Sequence, residues 1–394
     1  MAAEGEQGTR VRIGVVGVGS MGAAHCRTIQ DGKAGRLELT AAADHTPERL
    51  DALPESVARF GTAEEMIAST TVDAILVATP HFDHVPIGVA ALEAGLHVLV
   101  EKPIGVHAWH TRPLIDAAEA HPDRVFAAMF NQRTDPRYIE LKRMISAGEL
   151  GALRRLNWII TNWFRTEAYY QSGGWRATWA GEGGGVLLNQ CPHNLDLWQW
   201  LFGMPDRVRG FCTLGRFHDI EVEDDVTAYL EYEDGTTGVF ITTTGEAPGT
   251  NRLEVVGEHG KVVLEGSELR FTRNAQPTTE FSRTSPERFG APATTDISYR
   301  FNTNGPQHAG ILQNFADAIL DGAPLIAPGV EGIRSVELAN AMLLSSLEGE
   351  TVALPLDGER FLARFDPLVR GSCYDPSATP LGTVSDDMAG SFSR

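Results

Sequence analysis

The chain has few cysteines, no long apolar run and no basic excess, and each shortage removes a class of protein. Four cysteines in 394 residues, Cys26, Cys191, Cys212 and Cys373, stand without CxxC or other metal-ligand spacing. Neither a disulfide framework nor a metal site is expected, and the four read as reduced, mostly buried thiols. No stretch reaches the run of about eighteen uncharged apolar residues that crosses a bilayer. Lys and Arg number 33 against 52 Asp and Glu, a formal net charge of -19. That field repels phosphate backbones and anionic membranes, so neither nucleic acid nor membrane is expected as a partner, and a small neutral substrate is favoured over an anionic one. Met1 to Arg10 is polar, with Glu4 and Glu6 where a secretory signal needs a basic start and an apolar run. This speaks for a cytoplasmic protein.

What is present is globular: 42% hydrophobic and 22% charged residues, over a length that exceeds one ordinary core and predicts two domains. From Val11 to about Asn131, apolar runs (Val11 to Val16, Leu37 to Ala43, Val72 to Ala78, Val98 to Val100, Val125 to Phe130) alternate with helical patterns such as Pro86 to Ala94 and Thr111 to Ala120. This is the rhythm of a parallel, doubly wound α/β sheet. After Gly148 to Gly151 the strands lengthen and are joined by tight turns, as in Val226 to Tyr232 with Thr237 to Thr243, and Leu253 to Val256 with Lys261 to Glu265. An α+β domain with a mainly antiparallel sheet is expected there, flanked by helices at about Pro306 to Leu320 and Glu331 to Leu347 that should pack on that sheet. The divisions read as a flexible 1–9, a dinucleotide-binding 10–131, a substrate-binding and oligomerisation domain 132–360, and a C-terminal arm or tail 361–394. The stretch from Asp375 onward is rich in Ser, Pro, Gly and Thr and reads as flexible.

Gly17-Val18-Gly19-Ser20-Met21-Gly22 follows the first strand and opens a helix, the context in which G-x-G-x-x-G binds a pyrophosphate. Gly17 would make the turn, Gly19 would let the backbone approach the phosphates, and Gly22 would permit close helix packing. Ser20 and Met21 would present the helix N-terminus. A glycine-rich turn without a ligand is the plain alternative. Asp44 ends the second strand, twenty-two residues after Gly22, where a carboxylate can accept from ribose hydroxyls and repel a 2′-phosphate, so NAD is expected ahead of NADP. Asp44 could instead cap the turn before Pro47.

Ligands of doubly wound sheets bind at the carboxyl ends of strands. Thr79, Pro80, His81 and His84 follow one such end, and Glu101 and Lys102 another, so all six are candidates for cofactor contact. Lys102, between a buried strand and Pro103, could donate to an alkoxide or carbonyl oxygen. Asn131 and Arg133 follow the last strand of the first domain. Trp163, Arg165, Trp175 and Arg176 fall before a glycine run and offer aromatic faces and donors suited to a sugar ring, although plain packing fits them equally well.

The early G-x-G-x-x-G, the Ala78-Thr79-Pro80 strand end, Glu101-Lys102-Pro103, and Gly183-Gly184-Gly185 leading to His193 and Asp196 together resemble the glucose-fructose oxidoreductase/inositol dehydrogenase (Gfo/Idh/MocA) family over about residues 10 to 355. The resemblance implies a Rossmann domain followed by an open-faced sheet that makes substrate or oligomer contacts, a homodimer or homotetramer, and NAD(P)-dependent action on sugars, cyclitols or their derivatives. It places Lys102 and His193 near the nicotinamide as the catalytic pair, with a Lys-Pro bond that is often cis. One departure concerns Asn189, which stands where the family commonly has an aspartate, four residues before His193. An i to i+4 helical spacing would put Asn189 and His193 on one face, although Pro192 should kink that helix. Asparagine can bond substrate hydroxyls but cannot stabilise an imidazolium as a charge would. Asp196 reads as support for the fold.

Three activities are compatible with this reading. The first is a dehydrogenase oxidising a secondary alcohol of a sugar, cyclitol or glycoside. The second is a redox-neutral glycoside-cleaving enzyme or lyase that works through a transient keto-sugar. The third is a non-catalytic NAD-binding regulator, for which the joint presence of Lys102 and His193 has no use.

Overall fold

The structure, a computed structural model, describes residues 10–172 and 174–373. The tail expected from Asp375 onward lies outside the described residues. The chain divides into two compact units, one of residues up to Thr134 together with Gly305–Val336, the other of Asp135–Asn304 with the residues from Glu337 onward.

The first unit is built on six strands, β1 (Val11–Val16), β2 (Leu37–Ala43), β3 (Ala58–Phe60), β4 (Ala74–Val77), β5 (His97–Val100) and β6 (Phe126–Ala128). They form one sheet in the order β3-β2-β1-β4-β5-β6, and every pairing is parallel. All four residues of β4 are buried, as are Val98, Leu99 and Val100 of β5, which is why these strands read as continuous apolar runs. Strand order reverses between β1 and β4, the crevice where such sheets take their ligands. β3 is a three-residue edge strand, too short to leave a pattern in the sequence.

The helix Gln307–Asp321, expected on the antiparallel sheet, belongs to the first unit, where Ile311, Leu312, Phe315 and Ala316 join the core of β1, β2 and β4. An amphipathic face demands a partner, but its period does not say which sheet that is.

The second unit holds β7 (Leu153–Ile160), β8 (Arg207–Leu214), β9 (Glu223–Glu231), β10 (Thr237–Thr243), β11 (Asn251–Gly257), β12 (Gly260–Glu265), β13 (Glu268–Asn274), β14 (Thr294–Arg300) and the short β15 (Val352–Ala353). They order as β14-β13-β12-β11-β7-β10-β9-β8-β15. The β7–β10 pairing is parallel and the others are antiparallel. Alternate residues bury one face: Leu156, Trp158 and Ile160 of β7 and Gly238, Phe240 and Thr242 of β10. Trp158, Phe240 and Trp198 pack edge to face, with Tyr138 tilted against Trp158. These rings draw the helices Pro136–Ser146 and Pro192–Phe202 onto the sheet, as expected for large aromatic surfaces. Gly238 leaves room for this: a Cβ there would lie 2.6 Å from the Trp198 ring. The later part of the helix Gly332–Glu348 lies on β8, where a Cβ on Gly210 would sit 2.2 Å from the Met342 carbonyl oxygen. Of the arm expected over 361–394, the described part continues a helix, Gly358–Arg370, whose Phe361 and Phe365 are buried and whose Phe365 meets Trp179 edge to face.

Candidate active site

In the first unit the glycine motif has a separate physical reason at each position. Gly17 adopts φ +84°, and a Cβ there would lie 2.8 Å from the carbonyl oxygen of Ala78 at the end of β4. At Gly22 a Cβ would lie 1.8 Å from the Gly17 carbonyl oxygen, so the helix can start this close to the turn only without a side chain. Gly19 differs, because it is the N-cap of the helix Ser20–Gln30, no side chain caps that helix, and a Cβ there would meet nothing within 4 Å. Backbone open to approach beside a helix N-terminus, with Ser20 and Met21 in its first turn, fits a diphosphate.

Asp44 is buried at the end of β2. Its Oδ2 accepts from the Val18 amide at 2.7 Å and its Oδ1 from the Thr46 amide at 2.8 Å. It therefore caps the turn before Pro47 and also ties down the glycine loop. Burial works against its charge, but the two amides and Arg49, 3.3 Å away, outweigh it and hold the carboxyl below its ordinary range. Asp44 is thus an anion at neutral pH.

The loops after β4 and β5 are joined by one buried ring. His84 places Nδ1 2.7 Å from the Pro103 carbonyl and Nε2 2.8 Å from the Thr79 carbonyl, and burial lowers its pKa. His81 is buried 6.0 Å from it, ring to ring. Pro80 is half-buried beside them. The Thr79 hydroxyl is buried with no hydrogen-bond partner among the described residues, a state that a bound polar ligand resolves. The Lys102-Pro103 bond is cis.

Glu101 is fully buried. Its Oε1 meets His25 Nε2 at 2.6 Å, and its Oε2 accepts from the Lys102 amide at 3.1 Å. Burial pushes this carboxyl up, yet the His25 hydrogen bond and charge, with His308 and Lys102 nearby, bring it down to about 2. His308, its ring 5.6 Å from that of His25, is itself pushed down to about 4, chiefly by burial. Lys102 therefore follows a fixed anion on the chain. Sequence reasoning misses His25 and His308. They lie far from Glu101 along the chain, and only the His25 position three residues after Gly22 gives a sign.

Asn131 donates to Gln307 at 2.6 Å within the same unit. Arg133, expected at the substrate, is 2% exposed and donates to Glu331 at 2.6 Å and to the Ile326 carbonyl at 3.2 Å. Its charge is engaged inside the first unit, tying β6 to the segment around residue 330.

In the second unit the glycine run docks on the start of β9. Gly185 and Leu187 both donate to Glu223 Oε1, at 2.8 and 3.1 Å, and Val186 donates to the Glu223 carbonyl. A Cβ on Gly185 would lie 2.0 Å from that carbonyl oxygen, so the contact needs glycine. Burial raises Glu223 to about 7, against the pull of the amides and helped by the nearby charge of Glu182.

Pro192 does not kink a helix but starts one. It is the first residue of Pro192–Phe202, whose N-cap is Cys191, because a proline at that position lacks only an N–H that had no partner in the helix. His193 lies in the first turn and Asn189 precedes the helix, so the two do not share a helical face. Asn189 is buried instead in a polar cluster. Its Nδ2 donates to Glu182 and its Oδ1 accepts from the Tyr169 hydroxyl at 3.1 Å. Arg176 and Gln190 both donate to that hydroxyl, at 2.7 and 3.1 Å. The guanidinium groups of Arg165 and Arg176 lie over the Tyr169 ring, 5.0 and 4.6 Å from its centre, with Trp163 and Trp175 as their second faces. Trp163 donates to Asn194. Four of the expected substrate residues, Trp163, Arg165, Trp175 and Arg176, are thus joined to Asn189 through Tyr169. Sequence reasoning misses Tyr169 and Glu182. Asp196 is fully buried and accepts from Gln199, in keeping with a role in the fold.

Among the described residues no group of His, Cys, Asp and Glu is arranged to hold a metal ion, no helix is long and apolar enough to cross a membrane, and the four cysteines form no disulfide. Residues 11–129 match the oxidoreductase family with an NAD-binding Rossmann fold, and residues 138–263 match the GFO/IDH/MocA C-terminal domain. An inositol 2-dehydrogenase of Corynebacterium glutamicum is 31% identical over 354 residues, which cover 88% of this chain and 96% of that one. The rhizopine catabolism protein MocA of Rhizobium meliloti is 32% identical over 245 residues, 61% of this chain and 74% of that one. The WlbA dehydrogenase of Bordetella pertussis, solved with NADH and UDP-GlcNAcA, superimposes with a TM-score of 0.74 at 25% identity, covering 88% of this chain and all of that one (100%). The Rossmann fold, the glycine motif and the matched second domain therefore agree, and the chain belongs to the GFO/IDH/MocA family of NAD-binding oxidoreductases.

Proposed function

We propose that the protein oxidises a secondary alcohol of a neutral sugar, cyclitol or glycoside. The observation that carries this reading is the polar cluster of the second unit, in which the buried Gln190 Oε1 has no hydrogen-bond partner among the described residues and the indoles of Trp163 and Trp175 lie against the guanidinium groups of Arg165 and Arg176. Such groups match a polyhydroxylated ring, whose C–H faces pack on indole while its hydroxyls find partners. The net charge of -19 disfavours an anionic substrate. The inositol 2-dehydrogenase relative supports the same substrate class.

Gly17, Gly19, Ser20, Met21 and Gly22 would hold the diphosphate and Asp44 the ribose, its charge favouring NAD over NADP. Bound NAD supplies the hydride acceptor. His193 takes the hydroxyl proton on an imidazole nitrogen, and the Lys102 ammonium steadies the alkoxide oxygen as the proton leaves. Thr79, Pro80, His81, His84 and Glu101 shape the loops that carry Lys102. Asn131, Trp163, Arg165, Trp175, Arg176 and Asn189 orient the ring. The open face of the second sheet, where Phe211 and Tyr229 are exposed, is assigned to a second copy of the chain in a cytoplasmic dimer or tetramer, which light scattering measures.

Incubation with NAD and a panel of neutral sugars, inositols and glycosides should show growth of reduced-cofactor absorbance. Bound NAD without turnover across the panel would refute the proposal. Release of an aglycone without net NADH would point instead to redox-neutral glycoside cleavage.

A further inference from the structure

Asn189 is the position where a carboxylate is expected and absent, yet a carboxylate is in contact with it. Glu182 is almost wholly buried and uses both oxygens: Oε1 accepts from Asn189 Nδ2, and Oε2 accepts from the Ala177 amide at 2.9 Å. Ala177 stands at φ +65°, a left-handed conformation that costs a residue with a Cβ and that persists only where its surroundings hold it. The Glu182 carboxylate is part of what holds it. Building a carboxylate into this loop therefore costs both burial and backbone strain.

Its charge also sets a direction. A carboxylate only accepts, so the Asn189 amide must turn its NH2 to Glu182 and its oxygen to Tyr169. The Tyr169 hydroxyl must then donate to that oxygen, which leaves its own oxygen to accept from Arg176 and Gln190. The chain of bonds runs one way, from the Arg176 cation through Tyr169 and Asn189 to the Glu182 anion. A neutral group at position 182 reverses it. A glutamine there must give its oxygen to the Ala177 amide, so its NH2 faces Asn189. Asn189 then flips and presents NH2, not oxygen, to Tyr169.

We propose that Glu182 is the charge-bearing positioning residue of this cluster in the second unit, delivering through Asn189 the hydrogen-bond polarity that a carboxylate at position 189 would supply directly. It rests on the sugar-dehydrogenase reading only for its functional consequence, which is that the Asn189 oxygen is set to receive a substrate hydroxyl.

The test is a carboxylate exchange across four proteins: wild type, Glu182→Gln, Asn189→Asp and the double variant. Glu182→Gln reverses the chain and should raise KM for the sugar about tenfold to a hundredfold with a smaller change in kcat, the size expected for a hydrogen bond to a charged group. Asn189→Asp sets two buried carboxylates in contact, so it should lower both melting temperature and activity, more so at high pH. In the double variant the new amide at position 182 still gives its oxygen to the Ala177 N–H, and its NH2 meets the carboxylate now at position 189. That carboxylate in turn accepts from the Tyr169 hydroxyl. The KM of the double variant should return to within a few-fold of wild type, and its melting temperature should exceed that of either single variant. Additive effects in the double variant, or an unchanged KM in Glu182→Gln, would overturn the proposal. If wild type turns over no sugar, the functional reading falls by itself, and the melting temperatures still decide: rescue in the double variant supports the directed chain, and its absence overturns it.

Discussion

Each unit has a buried glutamate beside a loop of the candidate residues, Glu101 in the first and Glu223 in the second, and the two carboxyl groups are shifted in opposite directions. Glu101, after β5, is held down to about 2, whereas Glu223, at the start of β9, is raised to about 7. Burial opposes the charge in both. The partners differ: Glu101 has the His25 ring on one oxygen and the Lys102 amide on the other, with two more basic side chains near, while Glu223 has two amides on one oxygen, no hydrogen-bond partner on the other among the described residues, and the Glu182 anion close by. Depth alone does not decide whether an acid is charged, and the sign of its neighbours does. The first unit thus places a permanent anion next to Lys102, and the second, under the glycine run that leads to His193, an acid that keeps its proton until the pH rises to about 7.

The sharpest way to break this contrast is at the residue the anion accompanies. Lys102→Ala should lower kcat by roughly 10²–10⁴, the range for a positioned proton-handling group, while NADH affinity measured by fluorescence changes little. Glu223→Gln, on the neutral side, should leave kcat within a few-fold. Equal losses in the two variants would remove the distinction between the two glutamates.

Next in size is the anion itself. Glu101→Gln keeps an acceptor for the Lys102 amide but removes the charge from the His25 contact, and should cost about 3 kcal/mol at pH 7, read by urea unfolding. The pH dependence has a fixed sign. Because the folded pKa lies below the ordinary 4.5, the Glu101 contribution is present above that pH and is lost as pH falls through about 2. Wild type should therefore lose more stability than Glu101→Gln between pH 4.5 and about 2.

How much of this is legible depends on distance along the chain. The glycine motif is readable because Gly17, Gly19 and Gly22 act through backbone contacts within one turn, and the steric reasons for Gly17 and Gly22 are visible in the fold. The six-strand sheet follows from its apolar runs except at β3, which has only three residues. The helix Gln307–Asp321 is found by its period but assigned to the wrong sheet, since a moment along one helix carries no address. Pro192 reads as a kink, because a proline marks a helix boundary without saying on which side the helix lies. The buried partners are not legible at all. Nothing in Glu101 announces His25, 76 positions away, nor does Asn189 announce Glu182 and Tyr169. Pairing of this kind is decided by the folded arrangement, and it is what gives each acid its charge.

The smallest expected effect is also the one that sharpens the contrast most, because it runs with the opposite slope. Glu223 has a folded pKa above its unfolded one, so the folded state keeps a proton that the unfolded chain loses. Stability is unaffected by this group below pH 4.5, falls as pH rises toward about 7, and stays lower beyond it. A shift from 4.5 to about 7 corresponds to an upper bound of about 3 kcal/mol, reduced by any relaxation that lets water reach the charged form. Glu223→Gln reproduces the neutral acid and keeps an oxygen for the Gly185 and Leu187 amides, so it should match wild type near pH 4.5 and exceed it by about 1 to 3 kcal/mol at about pH 8. Denaturant midpoints of the two proteins across that range of pH measure this. A gap that opens with rising pH places the neutral acid in the second unit. A constant gap would mean that Glu223 ionises as readily in the folded chain as in the unfolded one, and that Glu101 and Glu223 are both anions at neutral pH.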